Sequence, residues 1–165
     1  MKKNLIFLFL LVIPMSIFGQ NQKALDDKNG FRDAIFERPF DSFKDLINVE
    51  KDFYTSTSED LKLGNFQMDQ VAYSFYKGQL YIIVIKTKGY TNSRGILKIL
   101  QTAYGKGYQD NEYIESYSWF GKRVAMAYDE NSATNDATIF MWSVKLSDLK
   151  KLDEEKAAKE AARKL

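Results

Sequence analysis

Tyr73–Val84 reads YSFYKGQLYIIV, and Tyr117–Tyr128 reads YSWFGKRVAMAY. The two stretches align without a gap: Tyr73, Ser74, Phe75 and Tyr76 stand against Tyr117, Ser118, Trp119 and Phe120, and then Leu80 and Ile82 against Val124 and Met126. Aromatic and β-branched residues around a glycine-containing centre are the pattern of a β-hairpin. Gly121-Lys122 has glycine first and suits a type II′ turn, whereas Lys77-Gly78 has it second and leaves its turn type open.

A two-residue loop fixes which residues oppose one another, and opposed residues share a face. The expected pairs in the first hairpin are Phe75 with Leu80, Tyr73 with Ile82 and Val71 with Val84. In the second they are Trp119 with Val124 and Tyr117 with Met126. Each hairpin then has one heavy apolar face. The reverse face of the second is thin, with Ser116, Ser118, Ala125 and Ala127, while that of the first carries Ala72, Ser74, Tyr81, Ile83 and Ile85. An antiparallel sheet covered mainly on one side has this character. With the helices on the heavy side, Tyr81, Ile83 and Ile85 face outward beside Ser74, and a contiguous exposed apolar patch marks a partner site.

The remaining elements follow from periodicity. Thr91 to Tyr104 places Ile96, Leu97, Leu100, Ala103 and Tyr104 at helical spacing, with Thr91 or Ser93 as cap and Gly105 at the end. Phe40 to Val49, after Pro39, aligns Phe40, Phe43, Leu46 and Ile47 as a second helix, and FRDAIFE (residues 31–37) alternates weakly as a strand. ATIFMWSVKL (residues 137–146) is apolar on both parities, as an inner strand would be. Ser147 onward, with Glu155–Lys159 and Glu160–Lys164 pairs, predicts a solvated helix. The fold class is therefore α+β: an antiparallel sheet of two similar hairpins plus a further strand, helices on one face and a polar C-terminal helix. Residues 30–146 form the single domain, 147–165 the charged helix and 20–29 a flexible lead. A duplicated helix–hairpin unit and mere likeness of two hairpins both account for the repeat.

The first nineteen residues, MKKNLIFLFLLVIPMSIFG, run from Lys2 and Lys3 through an apolar stretch to Gly19. That order is a secretory signal with cleavage near Gly19-Gln20, and the stretch is short of the roughly 20 residues that a spanning helix needs. The expected location is the periplasm or the outside of a bacterial cell, with no stable membrane insertion after cleavage. Removing two of the 24 basic residues leaves 22 against 22 acidic ones, so no positive surplus remains to hold nucleic acid. Cysteine is absent, so the domain must stand on its core without disulfides.

Histidine is absent too, which removes the usual proton shuttle, the thiolate nucleophiles and the common zinc ligands. Ser74-Phe75-Tyr76-Lys77 matches S-x-x-K, but along a strand the serine and lysine point to opposite faces, so that chemistry is not expected. Carboxylate catalysis would draw on Asp110, Glu112 and Glu115 or on Asp129 and Glu130. DENSATND (residues 129–136) offers oxygen atoms but no glycine and no cation-loop spacing, and reads as a hairpin connection. No catalytic residue, metal site or cofactor is expected. Among the crowded aromatics, Tyr117, Trp119 and Tyr128 belong to the heavy face and Tyr104 to its helix. Tyr108 and Tyr113 are left in a loop, free to stack on a glycan or small ligand beside Asp110 and Glu112.

In element order from Phe40 to about Leu146, with its tandem hairpins, the chain resembles two exported helix-plus-sheet families, the β-lactamase inhibitor proteins and the BamE-like envelope domains. Those inhibitors carry disulfides and BamE is a lipoprotein, whereas this chain has no cysteine for either. The resemblance implies a binding role and assigns no residue. The expected function is a non-catalytic exported domain that binds another protein through Tyr81, Ile83, Ile85 and Ser74. A ligand-binding module built on Tyr108 and Tyr113 is the alternative, and a carboxylate-based hydrolase is the third.

Overall fold

The computed structural model describes residues 19–164; the expected signal segment lies outside them, except for Gly19. A first helix, α1 (Gln22–Lys28), leads into two short strands, β1 (Gly30–Phe31) and β2 (Ala34–Ile35). A single 3₁₀ turn at Phe40–Ser42 is followed by β3 (Leu46–Glu50), β4 (Phe53–Ser56), β5 (Lys62–Leu63) and β6 (Phe66–Gln67). Then come β7 (Gln70–Tyr76), β8 (Gln79–Thr87), α2 (Gly89–Tyr104), β9 (Ser116–Phe120), β10 (Val124–Glu130), β11 (Ala137–Ser143) and α3 (Val144–Ala162). Seven of the strands make one antiparallel sheet in the order β3-β4-β7-β8-β11-β10-β9. The fold is α+β, and both hairpins lie in that sheet with β11 between them as an inner strand.

One face of the sheet is packed. Tyr73, Ile83, Ile139, Met126, Trp119 and Tyr117 meet Leu25 of α1 and Ile96, Leu97 and Leu100 of α2 in a single core. α1 and α2 both lie on this face, as an amphipathic α2 requires, whereas α3 reaches over the opposite face with Asp153 on Tyr76. Residues 22–28 are not a loose lead: Asn21 caps α1 by accepting from the Ala24 N–H at 3.1 Å, and Leu25 is buried.

The first hairpin has the expected two-residue loop. Lys77 and Gly78 both take positive φ, 50° and 73°, which is the type I′ combination. Its register is not the expected one. Phe75 opposes Leu80, but Ser74 opposes Ile82 and Tyr73 opposes Ile83. Tyr81 is left over as a β-bulge, and a one-residue offset exchanges the faces of every residue beyond it. Ile83 and Ile85 accordingly point into the core, 0% and 2% exposed, instead of outward.

The second hairpin differs in another way. Trp119 opposes Met126 and Tyr117 opposes Tyr128, so the loop spans Gly121 to Val124 in place of a two-residue II′ turn. The cause is Asp26. Its carboxylate accepts the backbone N–H groups of Lys122 and Arg123, both at 2.8 Å, and of Val124 at 3.1 Å. A methyl group on Gly121 would overlap Asp26 Oδ1, so glycine there serves close approach. Partial burial pushes the Asp26 carboxyl up, but the N–H groups of Arg123, Lys122 and Val124 with the charge of Arg123 outweigh it and hold it below its ordinary value. Asp26→Ala is expected to cost about 2 kcal/mol in urea unfolding at neutral pH. Because the folded pKa is depressed, that contribution is present above the unfolded carboxylate pKa and vanishes as pH falls through the folded one. The wild-type and variant curves should therefore converge in acid.

Two further expectations are corrected. No helix covers residues 40–49; the 3₁₀ turn packs Phe40 edge-on against Phe75 at 4.8 Å and against Tyr54 at 5.1 Å, and β3 follows as an edge strand. The i, i+3 spacing of Phe40 and Phe43 serves one turn only. Ahead of the first hairpin there are thus strands where the second has α2, and no helix–hairpin unit is repeated. Residues 31–37 hold only the two-residue pieces β1 and β2. The C-terminal helix starts before Ser147, directly from β11, and is capped by Ser143.

Candidate functional site

The residues nominated from sequence do not assemble into a patch. Ile83 and Ile85 are core. Ser74 lies between Phe53 and Ile82 and is 1% exposed. Tyr81 is half-buried, its ring edge-on to Tyr76 at 5.9 Å. Tyr108 and Tyr113 are well exposed, at 59% and 88%. Tyr108 donates to Asp110 at 3.1 Å, which raises its pKa, and lines a shallow recess with Phe120 and Gln20. Tyr113 is not part of that recess.

The face opposite the core is built differently from the expected patch and is more apolar at its far end. Across it, Trp142 of β11 opposes Ala125 of β10, which opposes Phe120 of β9; one row up, Phe140 opposes Ala127, which opposes Ser118. Alternation along a strand puts all six on one side. The two alanines therefore floor a trough along β10, with Trp142 and Phe140 as one wall and Phe120 as the end of the other. Phe140 is 41% exposed and Phe120 51%, while Ala125 at the bottom is 4%. Towards β7 the same face is closed: Ala72 and Val84 are buried, and α3 reaches in with Asp153, which accepts from Tyr76 at 2.6 Å and pairs with Lys77 at 2.5 Å. The signal for this trough was the even parity of ATIFMWS, where Phe140 and Trp142 alternate with the core residues Ile139 and Met141.

At the other end of the sheet, on the packed side, the missing helix over residues 40–49 leaves a cleft of about 570 Å³. Phe31, Phe43, Leu46 and Tyr73 line its apolar part, and Arg38 and Lys44 contribute cations. Arg32 braces one side. It pairs with Glu59 at 3.3 Å and donates to the backbone carbonyls of Asp60 and Lys62. Tyr73 donates to Glu59 at 2.5 Å. Burial first, and then that carboxylate, push the Tyr73 hydroxyl far above its ordinary pKa, so it stays protonated and committed to the brace. Sequence periodicity had no means of showing this cleft, because it arises from strands that meet only after folding.

The carboxylates considered for catalysis divide. Asp110 and Glu112 lie exposed in the loop, and Asp129 accepts from Ser116. Glu115 and Glu130 are brought together by Arg94 of α2, which pairs with Glu115 at 2.7 Å and with Glu130 at 3.0 Å. Each also accepts from a tyrosine: Glu115 from Tyr117 at 2.9 Å and Glu130 from Tyr128 at 2.6 Å. Burial pushes the Glu115 carboxyl up, but the bonds from Arg94 and Tyr117 hold it below its ordinary value. A general acid in glycoside hydrolysis needs the opposite, a carboxyl held protonated near neutrality. This arrangement joins helix to sheet.

Residues 131–136 are engaged internally. Asn131 accepts from the Ala133 and Thr134 N–H groups, and Asp136 from that of Gly89 at 2.9 Å. Among the described residues no group of three or more acidic, histidine or cysteine side chains is placed to hold a metal ion, and no helix is long and apolar enough to cross a membrane. Comparison with protein-family models, with curated proteins and with solved structures finds no match to this chain.

Proposed function

We propose that the protein is an exported, non-catalytic domain that docks another protein in or beyond the bacterial cell envelope through the open face of its sheet. The observation that supports this reading is the alanine-floored trough along β10 with exposed Phe120 and Phe140 at its walls. Small residues between large ones admit a ridge, and exposed aromatics around a buried floor are where binding energy concentrates. The occupant that fits is one apolar ridge of a partner, the stripe of an amphipathic helix or a row of large side chains. The net charge of the chain without residues 1–19 is zero, so affinity would come from burial more than from long-range attraction.

A photo-crosslinking residue at position 140, with the more accessible position 113 as control, tests this in the exported protein. One discrete adduct from position 140, absent at 113 and lost when Phe120→Asp is added, is the expected result. The lost adduct should reflect a drop in affinity of at least about tenfold, since one buried charge opposes the whole apolar contact. A crosslink back into the chain from position 140 would show the trough to be covered and would overturn the proposal.

A further inference from the structure

We infer that the edge strand β3 pairs with β3 of a second copy of this chain, antiparallel about a twofold axis, and so joins their two sheets into one. The sheet ends in β3 on one side and β9 on the other, and the two edges differ. At β9 the outer backbone groups are taken. The Ser116 N–H donates to the Ile114 carbonyl, Ser118 exchanges bonds of 2.8 Å with Tyr108, and the Phe120 N–H donates to the Gln20 side chain at 2.9 Å. At β3 they are open. Asp45 accepts the Thr57 N–H at 3.0 Å, and bonded positions alternate along an antiparallel ladder. Ile47, opposite Thr55, therefore turns its backbone to β4, while Leu46 and Asn48 turn theirs outward. Among the described residues no backbone group beyond the sheet bonds to them. A row of unpaired N–H and C=O groups is a template for another strand.

The residues of this edge select a second copy as the occupant. Open edges are ordinarily guarded by charge, and a guard of one sign would repel its own copy. Here Lys44 stands at one end and Glu50 at the other, both exposed and neither in an ion pair among the described residues. An antiparallel pairing centred on Ile47 brings Leu46 of each copy opposite Asn48 of the other, so their outward groups exchange N–H···O bonds on either side of the axis. It carries Lys44 of each copy towards Glu50 of the other. The two Ile47 side chains meet at a non-hydrogen-bonded position, where side chains come closest. Ile47 is 49% exposed in the single chain, so this contact removes apolar surface from water. β3 is held ready for it: the Asn48 amide donates to the Lys51 carbonyl at 3.0 Å and the Phe53 carbonyl at 3.2 Å, which pins the turn that follows. The irregularity at Val49 lies beyond the bonded positions. Because β9 is closed, the pairing ends at two copies and does not run on into a fibre.

Sedimentation velocity of the exported protein, run from micromolar to millimolar concentration, tests this. The expected result is a reversible shift from the mass of one chain to twice that mass. Ile47→Lys sets two ammonium groups against each other at an exposed position, and should weaken the association by about tenfold while leaving urea unfolding little changed. Lys44→Glu and Glu50→Lys should each weaken it, and the two combined in one chain should recover it, a rescue that loss of folding cannot produce. A chain that stays monomeric throughout, or a dimer indifferent to Ile47→Lys, would overturn the inference. So would a dimer abolished in a folded Phe140→Asp variant, which would place the contact in the trough. A photo-crosslinking residue at position 49 checks the occupant: an adduct of twice the chain's mass is expected, and an adduct with a different protein in its place would overturn the pairing. A monomeric result leaves the open face free to dock another protein.

Discussion

Arg94→Ala should lower the stability of the domain by about 3 kcal/mol, measured by urea unfolding at neutral pH. Glu130 is 2% exposed in its side chain and would lose the one cation that pairs with it among the described residues. Removing one member of a buried pair strands the other charge, which costs more than the pair contributes while intact. The estimate sits at the lower end of that range because the Arg94 side chain is 30% exposed, so water partly screens it. Glu130→Gln in the Arg94→Ala background should recover part of the loss, because a neutral amide tolerates the site better than an orphaned carboxylate. The pH dependence has a definite sign. Glu115 has a depressed folded pKa, so its contribution is present above the unfolded value and is lost as pH falls through the folded one. The wild-type unfolding midpoint should therefore drop in acid more steeply than that of Arg94→Ala. A variant with unchanged stability at neutral pH would show that the two glutamates are solvated and that the network is ornamental.

Trp119→Ala should cost about 4 kcal/mol, a large fraction of the stability of a domain of this size. The indole is 0% exposed, lies 6.2 Å from the Tyr117 ring and donates to the Gly105 carbonyl at 2.8 Å. A methyl group at Gly107 would already overlap it, so the surroundings are shaped to this ring. Truncation leaves a cavity and an unsatisfied carbonyl together. Trp119→Phe should cost less, about 2 kcal/mol, since it keeps most of the ring and loses the hydrogen bond. Guanidinium unfolding followed by far-ultraviolet circular dichroism separates the two. Equal losses for both variants would place the energy in the hydrogen bond alone.

The parts of the fold that were legible in the sequence are those in which local pattern and final environment agree. Ile96, Leu97 and Leu100 keep helical spacing and face the core; Ile139 and Met141 alternate and do the same. In the second hairpin even a wrong register left Tyr117, Trp119, Val124 and Met126 on the right face, because the error was two residues and the strand period is two. In the first hairpin the error was one, and Ile83 and Ile85 changed sides. No local signal marks Tyr81 as the extra residue: Leu80-Tyr81-Ile82-Ile83-Val84 is apolar throughout, so either alternation is acceptable. The candidate sites were legible in proportion. Phe140 and Trp142 stood in plain view as the second parity of β11, and that pattern indicated the inner strand that β11 is. The cleft was illegible, since Phe40, Phe43, Leu46 and Ile47 imitate a helix. What decides against that helix is the aromatic cluster of Phe40, Phe43, Tyr54 and Phe75, which exists only once β4 and β7 have paired.

The bulge at Tyr81 also gives the central hairpin one residue of slack. With Tyr81 removed, Ser74 would still oppose Ile82 and Tyr73 would still oppose Ile83, now through an unbroken ladder. A strand that has lost one residue can draw on this reserve and keep its frame, whereas a strand that has gained one must turn its remaining side chains inside out. The strand that carries Ile83 and Ile85, β8, is therefore asymmetric towards changes in its own length: it forgives shortening and punishes lengthening.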